Sequence, residues 1–353
     1  MRSKGFSQKV INRMSMARSC STNRVYQSKW RLFEQFCSDR NLDAFQASAP
    51  TVADFLTFCF ETREAQPATL QGYRSAIGAV LKLSAGFNPG QDEILSQLIK
   101  SFFRERPIRD KTFMSWDINL VLHYLKHGKL GPTAKLSLRE LTLKTVFLLA
   151  LATGKRCCEI HALDNNLFRI QGEWESVSLK PRADFLGKTH FATRGAGTFQ
   201  EIVILTLFGA PDANLQDLSI CPVHTLRCYR HRTSEIREGK KRLIISFMLN
   251  KKTDITKRTI ANYLKWLVEE AYSAAAKDTL ICDTFKMRPH DVRGVAVTLK
   301  ACTNVAMADI LAAGVWSSMS TFLKFYVKEF SHDDITKLYS IGPFVTAGTV
   351  FTK

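Results

Sequence analysis

Acidic side chains are in short supply in this chain: 32 Asp and Glu face 50 Lys and Arg, giving a formal charge of +18 and a pI near 9.6. Such an imbalance suits a polyanion, either nucleic acid or an anionic membrane face. Long apolar runs are missing too. The longest, residues 146–152, is far too short to cross a bilayer and reads as a core helix. The opening MRSKGFSQKV lacks the apolar block of a secretory signal. No lipidation motif or basic amphipathic anchor stands out. The expectation is therefore an intracellular protein whose polyanion is nucleic acid, with no membrane partner. Nine cysteines occur at irregular spacings, two of them adjacent (Cys157, Cys158), and read as reduced thiols rather than a disulfide framework. Internal repeats, a P-loop, an HExxH pair and an acidic metal cluster are all absent, so the chemistry is expected to need no cofactor, ATP or metal.

One pattern imitates a metal site. CPVHTLRCYRH carries Cys221, His224, Cys228 and His231, and the last three share a helix face. Pro222 suits the first helical position, which leaves Cys221 outside the helix with a poor vector for a tetrahedral site. The surrounding arginines would also repel a cation. The pattern is read as structural.

What is present is a globular composition, 45% hydrophobic over 353 residues, enough for a large core and two domains. Residues 1–31 hold eight Lys or Arg and no acid, so residues 1–21 are expected to form a loose basic arm. Residues 22–104 read as a small bundle of helices. Tyr26, Trp30, Phe33 and Phe36 lie on one stripe, Thr51 can cap the next helix, and TLQGYRSAIGAVLKLSAG ends in a glycine stop. Residues 105–112, around Pro107, read as a linker. Residues 113–340 form the larger domain and 341–353 a tail. Within it, helices continue to Gly154. From about Leu167 the period changes, and IQGEWESVSLK, FQEIVILTL and RLIISF read as strands, the first two joined by the long loop PRADFLGKTHFATRGAGT. CPVHTLRCYRH and TKRTIANYLKWLVEEAYSAA read as helices, the second capped by Thr256 or Thr259. The fold class is mainly α with a small antiparallel β-sheet.

Chemistry concentrates in RPHDVRGVAVTLKACTNVAMADILAAGVWSSMSTFLKFYVKEF, which reads as three short helices. Asp291 can cap the first, after Pro289, and Asn304 the second, which Gly314 ends. Ser317, Ser318 or Ser320 can start the third. His290 and Arg293 stand three apart near the first helix start. Trp316 offers an indole N–H, and Tyr326 a phenol on a stripe with Phe322 and Phe330. Arg156 and Glu159 in LATGKRCCEIHALD stand at a second helix start, where free N–H groups already favour an anion. Lys188 lies in the long loop; Lys180, at the end of the preceding strand, competes with it. Singly, each has an ordinary explanation: a surface ion pair, a core aromatic, a solvated lysine.

In order, Arg156-x-x-Glu159, a hairpin lysine, His290-x-x-Arg293, Trp316 and Tyr326 resemble the layout of the tyrosine recombinase (phage-integrase-type) superfamily. The stretches LATGKRCCEIHALD, ADFLGKT, LSICPVHTLRCYRHRT, RPHDVRG and AGVWSSMSTFLKFYV look closer still to recombinases of eukaryotic DIRS- and Ngaro-type retroelements. Trp316 departs from the histidine most members carry, a replacement some active members share. The resemblance implies a helical core-binding domain over 22–104 and a recombinase catalytic domain over 113–340. It implies cleavage and rejoining of double-stranded DNA through a 3′-phosphotyrosyl bond to Tyr326. Arg156, Arg293 and Trp316 would hold the phosphate, His290 would act as base or as a further phosphate donor, Lys188 would protonate the leaving oxygen, and Glu159 would support the arginine. It further implies a homotetrameric synapse, a nuclear location, a mobile-element role, and a segment after Tyr326 free to dock on a neighbour. The alternatives are type IB topoisomerase-like relaxation and a non-catalytic DNA-binding derivative.

Overall fold

The computed structural model describes residues 7–15, 17–107, 116–185, 187, 201–207, 217–248, 254–276, 287–302, 307, 319 and 349–351. The chain divides into two compact units, Met1–Asp110 and Lys111–Lys353.

The first unit is all helix: α1 (Gln8–Ser15), α2 (Cys20–Ser38), α3 (Ala49–Glu61), α4 (Pro67–Ser84) and α5 (Glu93–Glu105). Residues 8–15, expected in a loose arm, are helical. Ser19 starts α2 by accepting from the Thr22 N–H, and Asp92 starts α5 by accepting from Leu95. Thr51 does not cap α3; Ser48 occupies the cap position and Pro50 the first turn. Gly86, at φ +72°, follows the end of α4. The expected linker is partly helical, because α5 continues to Glu105. Packing is aromatic: the Phe55 ring lies 5.1 Å from Phe33, 5.2 Å from Phe36 and 5.5 Å from Tyr73, all edge-on. Phe33, Phe55, Leu56, Leu70, Ile77 and Leu81 are fully buried, each worth about 1.5–3 kcal/mol of transfer energy.

The second unit is built around one helix. It comprises α6 (Ile118–His127), α7 (Leu138–Thr153), α8 (Cys157–Ala162), β1 (Arg169–Gln171), β2 (Ser176–Leu179), β3 (Ile202–Leu205), α9 (Pro222–Arg232), α10 (Lys257–Ala275), α11 (Asp291–Cys302) and β4 (Thr349–Phe351). Every residue of α7 from Leu141 onward is buried, as expected of a helix apolar all round, and α9, α10 and α11 pack on it. A Ser137–Glu140 capping box starts it. Lys144, buried mid-helix, donates to the carbonyls of Leu125 (3.2 Å), Gly131 (2.9 Å) and Leu130, tying α7 to the turn after α6.

The sheet is antiparallel in order β1-β2-β3-β4. Two strand expectations change. IQGEWESVSLK is a hairpin rather than one strand, because Gly172 (φ +59°) and Trp174 (φ +71°) reverse the chain between β1 and β2. RLIISF forms an isolated bridge, Asp164 to Arg242, and no strand. The Leu243 N–H donates to the Leu163 carbonyl, and side chains take other backbone groups: Arg237 donates to the Arg242 and Leu243 carbonyls, and the Ile245 N–H donates to the Tyr229 hydroxyl. Residues 349–351, at the end of the segment expected to dock on a neighbour, pair as β4 with this chain's own β3.

Candidate active site

The site begins where α7 stops. Gly154 adopts φ +61°, ψ 19°, the left-handed C-terminus glycine tolerates best, and turns the chain into α8. Arg156 is the N-cap residue of α8, with extended backbone. Glu159, in the first turn, reaches back so that the Arg156 N–H donates to its Oε2 at 2.6 Å. The Arg156 guanidinium approaches Oε1 at 3.5 Å. The i, i+3 spacing thus works as half a capping box and holds the guanidinium at the helix start.

Arg293 arrives from α11. It is 2% exposed, its Nη1 donating to the Gly154 carbonyl at 2.9 Å and to Glu159 Oε2 at 3.4 Å. One buried carboxylate therefore joins two arginines far apart in sequence. His290 lies in the turn just before α11 and is exposed, three residues from Arg293. Asp291 does not cap α11 from outside, as expected. It is the first helical residue, and its carboxylate accepts from the Arg288 backbone (3.2 Å) and guanidinium (3.0 and 3.1 Å), fixing the chain entering the helix.

Sequence reasoning missed two lysines here. Lys155 is 5% exposed beside this cluster; burial pushes its pKa down to about 8, Arg293 and Arg156 push the same way, and Glu159 opposes them. Lys300, two turns along α11 from Arg293, is also 5% exposed, and burial with Lys155 nearby lowers it to about 7. For Lys300 the sequence signal is a lysine inside an otherwise small or apolar run, VAVTLKAC; Lys155 follows the helix-ending Gly154 beside Arg156 and carries no such signal. Positive charge thus outweighs negative around Glu159, an arrangement that favours an anion.

Of the remaining expected residues, Lys188, Trp316 and Tyr326 lie outside the described residues, as do Asn304, Gly314 and, apart from Met319, the third helix with Phe322 and Phe330. Lys180 follows β2 and pairs with Glu201 at 3.2 Å. The zinc-like pattern is accounted for by capping. Cys221 is the N-cap of α9, its Sγ accepting from the N–H groups of His224 and Leu207, both at 3.5 Å. Pro222 opens the helix as expected. Among the described residues no group of three or more His, Cys, Asp or Glu could hold a metal ion.

No family model matches the chain, and no curated protein sequence matches it. Among solved structures, it is similar to the Tn1549 transposon integrase in complex with transposon right end DNA. The TM-score is 0.54 at 10% identity, covering 92% of this chain and 94% of that one. It is also similar to the lambda integrase tetramer bound to a Holliday junction, with a TM-score of 0.52 at 12% identity over 89% and 74% of the two chains. The chain has the fold of these integrases: mostly helical, with a small antiparallel sheet.

Proposed function

We propose that this protein is a tyrosine recombinase of a mobile element, cleaving and rejoining double-stranded DNA at specific sites through a covalent 3′-phosphotyrosyl bond. The observation that carries the reading is Glu159 gathering Arg156 and Arg293 at the start of α8. Two guanidinium groups on one carboxylate, with excess cationic charge around them, suit the two non-bridging oxygens of a phosphodiester. They would stabilise the charge that grows on a pentavalent phosphorus, the kind of preorganised electrostatics that usually dominates catalysis.

The Tyr326 phenolic oxygen attacks phosphorus, the bond from phosphorus to the 5′ oxygen breaks, and Lys188 gives that oxygen its proton. A phenol with a pKa of about 10 needs a base, and His290, exposed at the head of α11, takes its proton. Trp316 holds the phosphate through its indole N–H. The engagement of Lys180 by Glu201 favours Lys188 as the acid. Because the phosphotyrosine keeps the bond energy, a second DNA end reverses the step. Residues 22–104 and residues 113–340 would each bind DNA, and copies of the chain would assemble as a tetramer on DNA in a nucleus. The retroelement-like stretches support the mobile-element assignment.

The test is a nicked suicide duplex chosen from random sequences the full-length protein retains. Wild type is expected to form a covalent adduct that Tyr326→Phe loses. Adducts that proceed to recombinants identify a recombinase, and adducts that only reseal identify a relaxing enzyme. Tight binding with no adduct would defeat the proposal and leave a non-catalytic DNA-binding protein.

A further inference from the structure

At the opposite end of α7 from Arg156, a cleft of about 600 Å³ opens beside the last turns of α9. Arg232 donates to the Leu136 carbonyl just ahead of α7, which places the cleft roughly 24 Å, the length of that 16-residue helix, from the arginine pair. Its walls include Thr133, Trp174, Arg227, Arg230, His231 and Arg232, with no carboxylate among the lining residues. Arg227 and Arg230 stand one turn apart on α9, and Arg227 lies 5.8 Å from the Trp174 ring centroid. Arg230 is stacked on Phe168 at 4.0 Å.

Two polar atoms here have no hydrogen-bond partner among the described residues: the Oγ1 of Thr133, a residue only 5% exposed, and the buried Nε of Arg230. Buried polar groups are rarely left so without a ligand or water to satisfy them. None of Arg227, Arg230 and Arg232 forms an ion pair among the described residues. Cations at a helix C-terminus have an ordinary use in offsetting the helix dipole. That use does not explain the unpartnered hydroxyl; the half-buried Trp174 ring packs on Phe168 at 5.9 Å and also borders the cleft.

We propose that this cleft binds a nucleotide, its phosphate on Arg227 and Arg230, its base against Trp174, and the Thr133 hydroxyl completing the polar contacts. Arginine forks match phosphate, an aromatic face accepts any base, and the volume lies in the range of small-ligand sites. An acidic peptide would use the arginines but bring no base to lie against the Trp174 ring. The inference is independent of the strand-cleavage reading.

The test uses the full-length protein carrying Arg156→Ala, so that the other arginine site does not compete. Calorimetry and tryptophan fluorescence follow titration with dAMP, dTMP, inorganic phosphate, a short single-stranded oligonucleotide and a Glu-rich peptide. Nucleotides should bind roughly tenfold more tightly than phosphate, and Arg227→Ala, at an exposed position, should weaken them by about tenfold or more. Preference for the oligonucleotide over dAMP and dTMP identifies a DNA strand as the source; the reverse identifies a free nucleotide. Thr133→Val separates ligand binding from folding: it should weaken the nucleotide without lowering Tm, since the lost hydroxyl has no protein partner. Equal affinities in Arg227→Ala and its parent, phosphate binding as well as nucleotide, or tighter binding of the peptide would overturn the proposal.

Discussion

Arg293 donates to the carbonyl of Gly154 at 2.9 Å, so the last turn of α7 and the buried face of α11 are pinned at one atom. The same guanidinium reaches Glu159, which also holds Arg156. Positioning of both arginines is therefore a property of the packed interior rather than of surface side chains.

The two arginines should respond differently to removal. Arg156→Ala should cut suicide-substrate cleavage about 10²–10³-fold, with DNA binding in a gel shift little changed. Arg293→Ala should also cost about 3–5 kcal/mol in stability, because it strips a buried carboxylate of a partner. Arg293→Lys, expected to stay folded yet cleave poorly, separates the two effects. Full cleavage by Arg156→Ala would remove it from the site.

Gly154→Ala probes the turn itself. An added Cβ would meet Ala296 at 3.7 Å and Val297 at 3.9 Å, which is ordinary contact, so the penalty comes from the backbone at φ +61°. Urea unfolding should show a loss of about 1–2 kcal/mol. A loss of cleavage beyond the loss of folded protein is expected, since the carbonyl that Arg293 uses belongs to this residue.

Lys155 should leave a mark at alkaline pH. Its folded pKa, about 8, lies below the unfolded value of about 10.4, so between the two the unfolded chain binds more protons. Stability should therefore rise as pH climbs from about 8 toward 10, and Lys155→Met should flatten that rise in urea titrations taken at each pH. Lys300 acts with the same sign from a lower starting point.

Glu140 marks the acid side. Its hydrogen bonds with Lys129 and Ser137 hold its carboxyl down at about 2. The contribution is complete above the unfolded value of about 4.3 and is lost as pH falls toward 2. Wild type should outlast Glu140→Gln in urea at pH 7, and the gap should close as pH drops through that window.

Cys221 should behave as a cap and not as a ligand. Cys221→Ser keeps an acceptor for the His224 N–H and should melt close to wild type, whereas Cys221→Ala should lose about 1 kcal/mol. Zinc or EDTA should move neither melting curve. A zinc-dependent rise in Tm would restore the metal reading of CPVHTLRCYRH.

The sequence alone determined the elements whose causes are local. Ser137 with Glu140, Thr256 with Thr259, Pro222 and Gly154 mark helix ends because capping and left-handed turns depend on residues within four positions of one another. The i, i+3 relation of Arg156 and Glu159 was legible for the same reason. Only the tertiary structure decided that Arg293 shares Glu159 with Arg156, that two lysines lie buried beside them, and that Leu163, Tyr229 and Arg237 take backbone groups of 242–245 where a strand partner was expected for RLIISF. Those outcomes depend on burial and on which distant groups compete for a backbone donor or acceptor, and no local spacing encodes either.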